Sequence, residues 1–432
     1  MTKWLIRAQV LPMTGERDFF SEGEIAVDGT EILWVGKKGS TPESFIPDRI
    51  LEYPNDVVMP GLINTHTHAA MTLLRSYADD LPLMPWLNEK IWPFEGKLTP
   101  DDIYWGTALA LCEMIRSGTT TMLDMYVEMD KVGEAVAEAG TRAVLSRGII
   151  ESPQSDQGLE ESIRLVQKYH KAGEDRIRVM FAPHAPYTNS GAYLQKIKEL
   201  ADQEGVGLNI HIAETKDEIQ TIKERYGKTP VQWLDELGLF SGHVVGAHCV
   251  YVDAEDMDIM ARHHVGVAHN PESNMKLNSG TAPIPEMLQK GIAVGIGTDG
   301  ASSNNNLDMI GEMRTAALQQ KLAVDATALP AYQVLEMATA GGAEVLGWEK
   351  LGKLAPGYKA DLIMIDMDQP HFYPRFSIPA HLVYAAHGSD VRNVMINGKM
   401  VMEERKLLTL DERRICMEAE QRAKRIAAEM QG

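Results

Sequence analysis

Cysteine is scarce in this sequence, which contains three cysteines among 432 residues. Cys112, Cys249 and Cys416 lie far apart and are odd in number, which argues against a disulfide framework and favours a reducing compartment. The sequence also lacks an apolar run of about 18 residues, so it predicts no membrane span. Its N-terminus has no long apolar stretch and no small-residue cleavage site, which argues against a secretory signal. These absences together predict a cytoplasmic protein.

Basic residues are also fewer than acidic residues in this sequence. Lysine and arginine number 42 against 61 aspartates and glutamates, and the formal net charge is -19. Nucleic-acid binding normally needs a basic face, so this balance predicts no nucleic-acid partner and no membrane partner. The sequence instead favours a small-molecule substrate and is compatible with a homo-oligomer.

Two common catalytic and phosphate-binding motifs are missing. There is no Gly-x-x-x-x-Gly-Lys-Ser/Thr loop and no Gly-x-Ser-x-Gly turn. Gly295 to Gly300 does match Gly-x-Gly-x-x-Gly, but Asp299 lies inside the motif and an asparagine run, 304–306, follows it. A dinucleotide site requires a helix there and an acidic residue about 20 positions on, so NAD binding is not predicted.

The two ends of the chain resemble each other. Short strand-like segments, 4–6, 23–27 and 31–35, occur near the start, and two more, 361–365 and 394–399, occur near the end. We therefore expect residues 1–57 and 351–432 to form one small β-sandwich domain, the second part ending in a helix.

The middle of the chain, residues 58–350, has a different rhythm. Short apolar strands with polar C-terminal ends alternate with helical segments about eight times over roughly 290 residues, which is typical of a (β/α)8 barrel. An open, doubly wound sheet is the alternative that this rhythm leaves.

One strand-like segment ends in His66-Thr67-His68. Residues two apart on a strand point to the same face, so both imidazoles can reach one point. Neutral imidazole is the commonest side-chain ligand for metals, so the pair predicts half of a metal site. Taken alone, the same residues would also fit a polar loop.

Other predicted strands end in polar residues, and the carboxyl ends of barrel strands meet at one face. A shared polar site explains these residues together: His184, His211, His248, His269 and Asp299. His211 adds a third imidazole to His66 and His68, and Glu214 lies where a carboxylate can transfer protons. Asp299 can ligate a metal and accept a proton from its water, which His248 can orient. His184 is a candidate substrate contact, and His269 has the weaker context.

These residues, beginning with the segment 60–68 and continuing through His211, His248 and Asp299, resemble the amidohydrolase superfamily. Binuclear members carry a bridging lysine at the end of the fourth barrel strand, and neither 146–147 nor 181–183 contains one. The resemblance therefore implies one divalent metal per chain, zinc, with Fe²⁺ or Mn²⁺ as alternatives. The implied ligands are His66, His68, His211 and Asp299.

Loops around this set narrow the resemblance to members that deaminate adenosine derivatives; they are 81–87, 92–95, 270–277 and 297–305. The implied reaction is hydrolytic deamination at C6 of 5′-methylthioadenosine, S-adenosylhomocysteine and adenosine. Glu214 would protonate the ring nitrogen, and Asp299 would accept the proton of water and lie against the substrate.

The same resemblance implies that Glu95 holds ribose hydroxyls and that His184 contacts the substrate. It also implies that the Arg147 guanidinium meets the carboxylate of a homocysteine tail. Glu272 departs from the pattern, since a smaller apolar residue is expected there. The alternatives are a guanine or cytosine deaminase, a triazine chlorohydrolase or aminohydrolase, and a non-catalytic metal-binding protein.

Overall fold

The computed structural model describes residues 2–81, 83–152 and 155–430, apart from the side chains at 83, 84 and 155. Pro82, from one of the loops used above, lies outside the described residues, as do the extreme ends of the two predicted terminal segments. Among the described helices, none combines the length and apolar character needed to cross a membrane.

Both chain ends contribute to one sheet, as the sequence predicts. Its strands are β1 (Lys3–Val10), β2 (Phe20–Asp28), β3 (Glu31–Lys37), β4 (Arg49–Pro60), β14 (Leu362–Asp366), β15 (Val391–Ile396), β16 (Lys399–Glu403) and β17 (Lys406–Leu407). They form a continuous eight-stranded ladder in the order β17-β16-β15-β14-β4-β1-β2-β3. The two chain ends meet where β4 pairs antiparallel with β14.

The second sheet is a closed barrel of eight parallel strands. They are β5 (Leu62–His68), β6 (Thr119–Tyr126), β7 (Arg142–Ile149), β8 (Ile177–Pro183), β9 (Leu208–Ile212), β10 (Val244–His248), β11 (Gly266–His269) and β12 (Val294–Ile296). Pairing of Ile296 with Asn64 closes the ring, which excludes the open-sheet alternative. A two-residue strand, β13 (Asp299–Gly300), adds to β5 beyond the closure.

Glycines of the rejected dinucleotide motif serve this closure. A Cβ on Gly297 would lie 2.9 Å from the backbone nitrogen of His66, and one on Gly295 would lie 2.4 Å from the Thr65 side chain. A side chain on either glycine would therefore clash with a residue of β5. The motif therefore reflects close packing of two strands.

Helices surround the barrel and fill the connections. They are α1 (Leu83–Trp86), α2 (Trp92–Glu95), α3 (Pro100–Arg116), α4 (Met129–Ala139), α5 (Ser155–Tyr169), α6 (Ala172–Asp175), α7 (Gly191–Glu204), α8 (Lys216–Tyr226), α9 (Pro230–Glu236), α10 (Ala254–Arg262), α11 (Pro271–Lys276), α12 (Ile284–Gln289), α13 (Ala301–Asn304), α14 (Met309–Ala323), α15 (Ala331–Met337), α16 (Ala340–Val345), α17 (Ile378–Tyr384) and α18 (Glu412–Glu429). Capping boxes at Thr99, Thr229 and Asp253 satisfy the first backbone N–H groups of α3, α9 and α10.

The long strand β4 joins the two sheets because its two faces enter different cores. Val57 and Met59 pack with the barrel residues, whereas Val58 packs with Trp4 and Ile6 of the terminal sheet. This alternation is the period-two pattern of a strand buried on both faces. One residue, Gly61, then separates β4 from the strand that carries His66 and His68.

Candidate active site

Four side chains from three strands meet at the C-terminal face of the barrel. His66 and His68 come from β5, His211 from β9 and Asp299 from β13. The Nε2 atoms of His66 and His211 are 3.2 Å apart. Asp299 Oδ1 lies 3.2 Å from His68 Nε2 and 3.6 Å from His66 Nε2. The structure thus brings together the four residues predicted as metal ligands.

Backbone carbonyls determine which nitrogen of two rings carries the proton. His211 Nδ1 lies 2.7 Å from the carbonyl oxygen of His184, and His68 Nδ1 contacts that of Met125. A carbonyl oxygen only accepts hydrogen bonds, so Nδ1 of each ring carries a proton, and the neutral form of each ring directs the Nε2 lone pair into the cluster. This is the orientation in which histidines bind metals.

The donor atoms of the cluster converge on one point. The Nε2 atoms of His66 and His211 face each other at 3.2 Å, and the buried Asp299 carboxylate lies beside them. Imidazole nitrogen together with carboxylate oxygen is a donor set that zinc accepts. The residues therefore fit a divalent metal. His248 also belongs to a potential metal-binding group with His66 and His211.

The carboxylate of Asp299 is held from its far side. Its Oδ2 accepts hydrogen bonds from the Ser273 hydroxyl at 2.6 Å and the Ser303 hydroxyl at 2.8 Å. These bonds leave Oδ1 facing the two β5 histidines. Burial alone would raise the pKa of Asp299, but the contact with His68 holds that pKa well below its ordinary value.

Glu214 and His248 lie beside this cluster. Glu214 is mostly buried, with a side chain that is 12% exposed, and burial raises the pKa of its carboxyl group, which favours the protonated acid. His248 Nδ1 lies 2.9 Å from Asn274 Oδ1 and 3.3 Å from the Asn270 amide nitrogen; the shorter contact is to an acceptor, which places the ring proton on Nδ1. His248 Nε2 lies 4.0 Å from Glu214 Oε2. A proton donor and a proton acceptor thus face the same space.

The backbone is left-handed at three of these strand ends. Ala213, His248 and Asp299 have φ angles of 51°, 71° and 58°. Such angles are uncommon for residues with a Cβ and persist where surrounding contacts impose them, often at functional sites. His248 and Asp299 are themselves site residues, and Ala213 lies between His211 and Glu214.

A cavity lies directly above the cluster. Polar residues cover its base, among them His68, His184, His211, Glu214, His248 and Asp299. Apolar residues form much of the wall, among them Met71, Trp86, Trp92, Ile150 and Leu277. An apolar wall with a few convergent polar groups is the usual form of a site for a small organic molecule.

Two further predicted residues line this cavity. Burial raises the pKa of Glu95, at the end of α2, and its Oε1 accepts a hydrogen bond from the Tyr126 hydroxyl at 2.5 Å. His184 follows β8, and burial lowers its pKa to about 4, so its ring is neutral near pH 7. A neutral imidazole can donate a hydrogen bond to a polar heterocycle or accept one from it.

Comparison with known proteins agrees with this geometry. The Amidohydrolase family profile matches residues 57–401. The chain belongs to the amidohydrolase family. A 5-methylthioadenosine/S-adenosylhomocysteine deaminase of Desulfitobacterium hafniense (strain Y51) is 68% identical over 428 residues, which is 99% of each protein. A 5′-deoxyadenosine deaminase of Methanosarcina mazei is 48% identical over 98% of this chain and 97% of the relative. The solved structure of an adenosine deaminase from Xanthomonas campestris with bound zinc matches with a TM-score of 0.95, 36% identity and 98% coverage of both chains.

One predicted site residue of this amidohydrolase lies away from the cavity. Gly148 lines the cavity, so Arg147 points to the opposite side of β7, where Nε donates to Glu161 Oε2 at 2.7 Å. Its guanidinium is therefore already paired with a carboxylate. The predicted contact between Arg147 and a substrate carboxylate stays a prediction.

Glu272 and His269 also lie away from the cavity surface. Glu272 Oε1 accepts a hydrogen bond from the Thr315 hydroxyl of α14 at 2.9 Å, and Oε2 accepts one from the Asn306 side chain at 3.0 Å. The side chain of Glu272, the residue that departs from the family pattern, therefore points towards α14. His269 is fully buried and both ring nitrogens lack hydrogen-bond partners among the described residues. Burial lowers the pKa of His269 to about 3.

Sequence reasoning assigned no role to four residues that contact the site. Ser273 and Asn274 lie in the segment 270–277 that carried the resemblance, and Ser303 lies in 297–305, so their loops were found but their contacts were not. Tyr126 is the last residue of β6. It could have been found by the pattern that identified the histidines, a polar side chain at the end of a predicted strand.

Proposed function

We propose that this amidohydrolase removes the amino group from C6 of the adenine ring in 5′-methylthioadenosine, S-adenosylhomocysteine and adenosine. The products are ammonia and the corresponding inosyl compound. The observation that carries the proposal is the placement of Glu214 beside the histidine–aspartate cluster, at the base of a cavity whose wall contains Glu95. The names of relatives at 68% and 48% identity support the same reaction class.

In this proposal His66, His68, His211 and Asp299 hold one divalent ion, which is zinc. A bound divalent cation supplies Lewis acidity, so that a water molecule loses a proton near neutral pH. We expect His66→Ala to lower the metal content of the purified protein by well over half, because one of three nitrogen donors is lost. Elemental analysis measures the stoichiometry and separates zinc from iron and manganese. Full occupancy in the variant would contradict the assignment.

The residues of the chain divide the proton transfers between them. Asp299 accepts a proton from water, and His248 Nε2 holds the water for attack at C6. Glu214 donates its proton to the adjacent ring nitrogen N1, which removes the negative charge that attack places on the ring. The C6–N bond then breaks: Asp299 passes its proton to the departing nitrogen, which leaves as ammonia. Glu214 regains a proton from the hydroxyl at C6, so the products balance substrate plus water.

Substrate binding in this proposal uses the cavity wall. Glu95 accepts hydrogen bonds from ribose hydroxyls, since an ionised carboxylate offers only acceptors. His184 contacts the purine ring. Guanine, cytosine and chlorotriazines have no ribose to meet Glu95, which is why nucleosides are favoured.

The test is a substrate screen with zinc-loaded protein, measuring ammonia release and the ultraviolet change on deamination. The panel contains 5′-methylthioadenosine, S-adenosylhomocysteine, adenosine, 5′-deoxyadenosine, guanine, cytosine and a chlorotriazine. Turnover of the adenosine derivatives alone is the expected result. Activity only on guanine, cytosine or the triazine would replace the substrate assignment, and no turnover of any compound would favour a non-catalytic metal-binding protein.

We further propose a cytoplasmic location, which the three unpaired cysteines support. We also propose domain boundaries at 57/58 and 350/351. The interval between them contains the complete barrel, β5 to β12, while the terminal sheet lies almost wholly outside it.

A further inference from the structure

Tyr126 forms a contact that the proposed reaction does not use. This tyrosine is the last residue of β6, is 6% exposed, and lines the cavity together with Glu95. Its hydroxyl lies 2.5 Å from Glu95 Oε1. The other carboxylate oxygen, Oε2, has no hydrogen bond recorded among the described residues.

The direction of this hydrogen bond follows from the chemistry of the two groups. An ionised carboxylate can only accept, so the phenol donates. Burial raises the pKa of Tyr126 well above its ordinary value, which keeps the phenol protonated. Burial also raises the pKa of Glu95, and the hydrogen bond from Tyr126 opposes this rise and stabilises the ionised carboxylate.

The position of Tyr126 is itself constrained. Its backbone pairs with Arg147 in the β6–β7 ladder, and its ring lies 6.3 Å from the His68 ring. By contrast, Glu95 is the last residue of a continuous helical segment, made of α1, a π-helical turn (Leu87–Ile91) and α2, that lies outside the barrel wall. A residue in the barrel wall thus holds a carboxylate carried by a helical connection, in the geometry expected of a positioning residue.

We propose that Tyr126 is a specificity-determining positioning residue that fixes Glu95 for recognition of ribose hydroxyls. Its hydroxyl occupies Oε1, and Oε2 accepts from the sugar. This inference rests on the proposed function, because it assigns the ribose contact to Glu95. Without the phenol, Glu95 loses one of the contacts that orient it, and a site built to bind a hydroxyl then discriminates less against analogues that lack one.

The test measures binding of two products that differ only in the sugar hydroxyls. Titration calorimetry on the zinc-loaded protein gives the Kd of inosine and of 2′,3′-dideoxyinosine. In the wild type we expect inosine to bind more tightly. Tyr126→Phe should weaken inosine binding by roughly tenfold, the size of one hydrogen bond to a charged group, and leave dideoxyinosine binding within about twofold.

Three variants make the result specific. Tyr104→Phe removes a similar bond, from the Tyr104 hydroxyl to Glu138 Oε2 at 2.5 Å on the protein surface, and should change neither Kd. Glu95→Gln should reduce the preference for inosine at least as much as Tyr126→Phe. The double variant should add little to Glu95→Gln, because both residues act through one contact. Thermal unfolding and metal content verify that each variant is folded and loaded.

Each outcome has a separate meaning. An unchanged preference for inosine in Tyr126→Phe would overturn the role of Tyr126 and leave the proposed function intact. Equal losses for inosine and dideoxyinosine would also overturn it, since a general disturbance of the cavity weakens both. A wild type that neither binds inosine nor deaminates adenosine derivatives would overturn the proposed function, and with it the inference.

Discussion

At the scale of single residues, the position of the proton on each histidine ring determines which nitrogen can bind a metal. Carbonyl oxygens at His211 Nδ1 and His68 Nδ1 require a proton on each of those nitrogens, so Nε2 is the atom through which the neutral form of each ring offers its lone pair. Asp299 reaches the same point as an ionised carboxylate, with two serine hydroxyls on its other oxygen. The electron-pair donors are thus oriented by backbone carbonyl groups and serine hydroxyls around the cluster.

Glu214 provides the sharpest test at this scale. We expect Glu214→Gln to lower kcat by about 10²-fold or more, because an amide cannot supply the proton to N1. Metal content should stay at the wild-type level, since Glu214 is not a proposed ligand. Steady-state kinetics and elemental analysis on the same preparation measure the two quantities. Near-normal turnover, or loss of metal, would contradict the role of Glu214 as the acid.

Arg147 is tested by comparing two substrates. If its guanidinium exchanges Glu161 for the carboxylate of a homocysteine tail, Arg147→Met raises KM for S-adenosylhomocysteine by about tenfold, the worth of one charge-assisted bond. KM for 5′-methylthioadenosine, which has no carboxylate, should change little. Glu161→Gln, which removes the competing partner, should lower KM for S-adenosylhomocysteine. Equal effects of Arg147→Met on both substrates would show that the Arg147–Glu161 pair serves the structure of β7 and α5 alone.

At the scale of whole elements, the short helix α11 serves the site from outside the cavity base. Two consecutive residues on it reach two different catalytic candidates: Ser273 contacts Asp299 and Asn274 contacts His248. Pro271 begins the helix and fixes the start of the turn. One small element therefore sets the orientation of both groups proposed to handle the proton of water.

Asn274→Ala tests the contribution of this helix. Without the acceptor at His248 Nδ1, the ring loses the contact that keeps Nε2 unprotonated and directed at Glu214. We expect kcat to fall roughly 10- to 100-fold, within the range that loss of acid–base or orienting groups produces. Asn274→Asp keeps an acceptor oxygen and should retain more activity than the alanine variant. A smaller loss in Ala than in Asp would contradict the proposed role.

Local sequence patterns predicted the elements because the relevant signals are local. Apolar runs that end in polar residues predicted the barrel strands and placed His66, His211 and Asp299 at one face. The side of β7 on which Arg147 lies could not be predicted, because Ser146 and Gly148 on either side give no apolar alternation. The partners of Ser273 and Asn274 were equally hidden, since they are 26 residues away in the chain and are fixed only by barrel closure.

At the scale of the whole molecule, one buried ion pair joins the barrel to the terminal sheet. Arg142 begins β7 and is fully buried, and its guanidinium donates to Asp361 Oδ2 at 2.9 Å and Oδ1 at 3.0 Å. The same group donates to Asn397 Oδ1 at 3.1 Å, in the turn between β15 and β16. Asp361 directly precedes β14, so these bonds connect the two cores.

Removing one partner of this pair should destabilise the protein strongly. We expect Arg142→Met to lower the free energy of unfolding by about 3–5 kcal/mol, because the Asp361 carboxylate remains buried without its counter-charge. Adding Asp361→Asn removes that charge, so the double variant should lose less than the sum of the two single losses.

The exposed pair of Lys168 and Asp130, 2.8 Å apart, is the matched control. Lys168→Met should lose under about 1 kcal/mol. Urea denaturation measures all four variants. A loss from Arg142→Met no larger than that of the surface control would show that apolar packing around β4, and not this ion pair, holds the two sheets together.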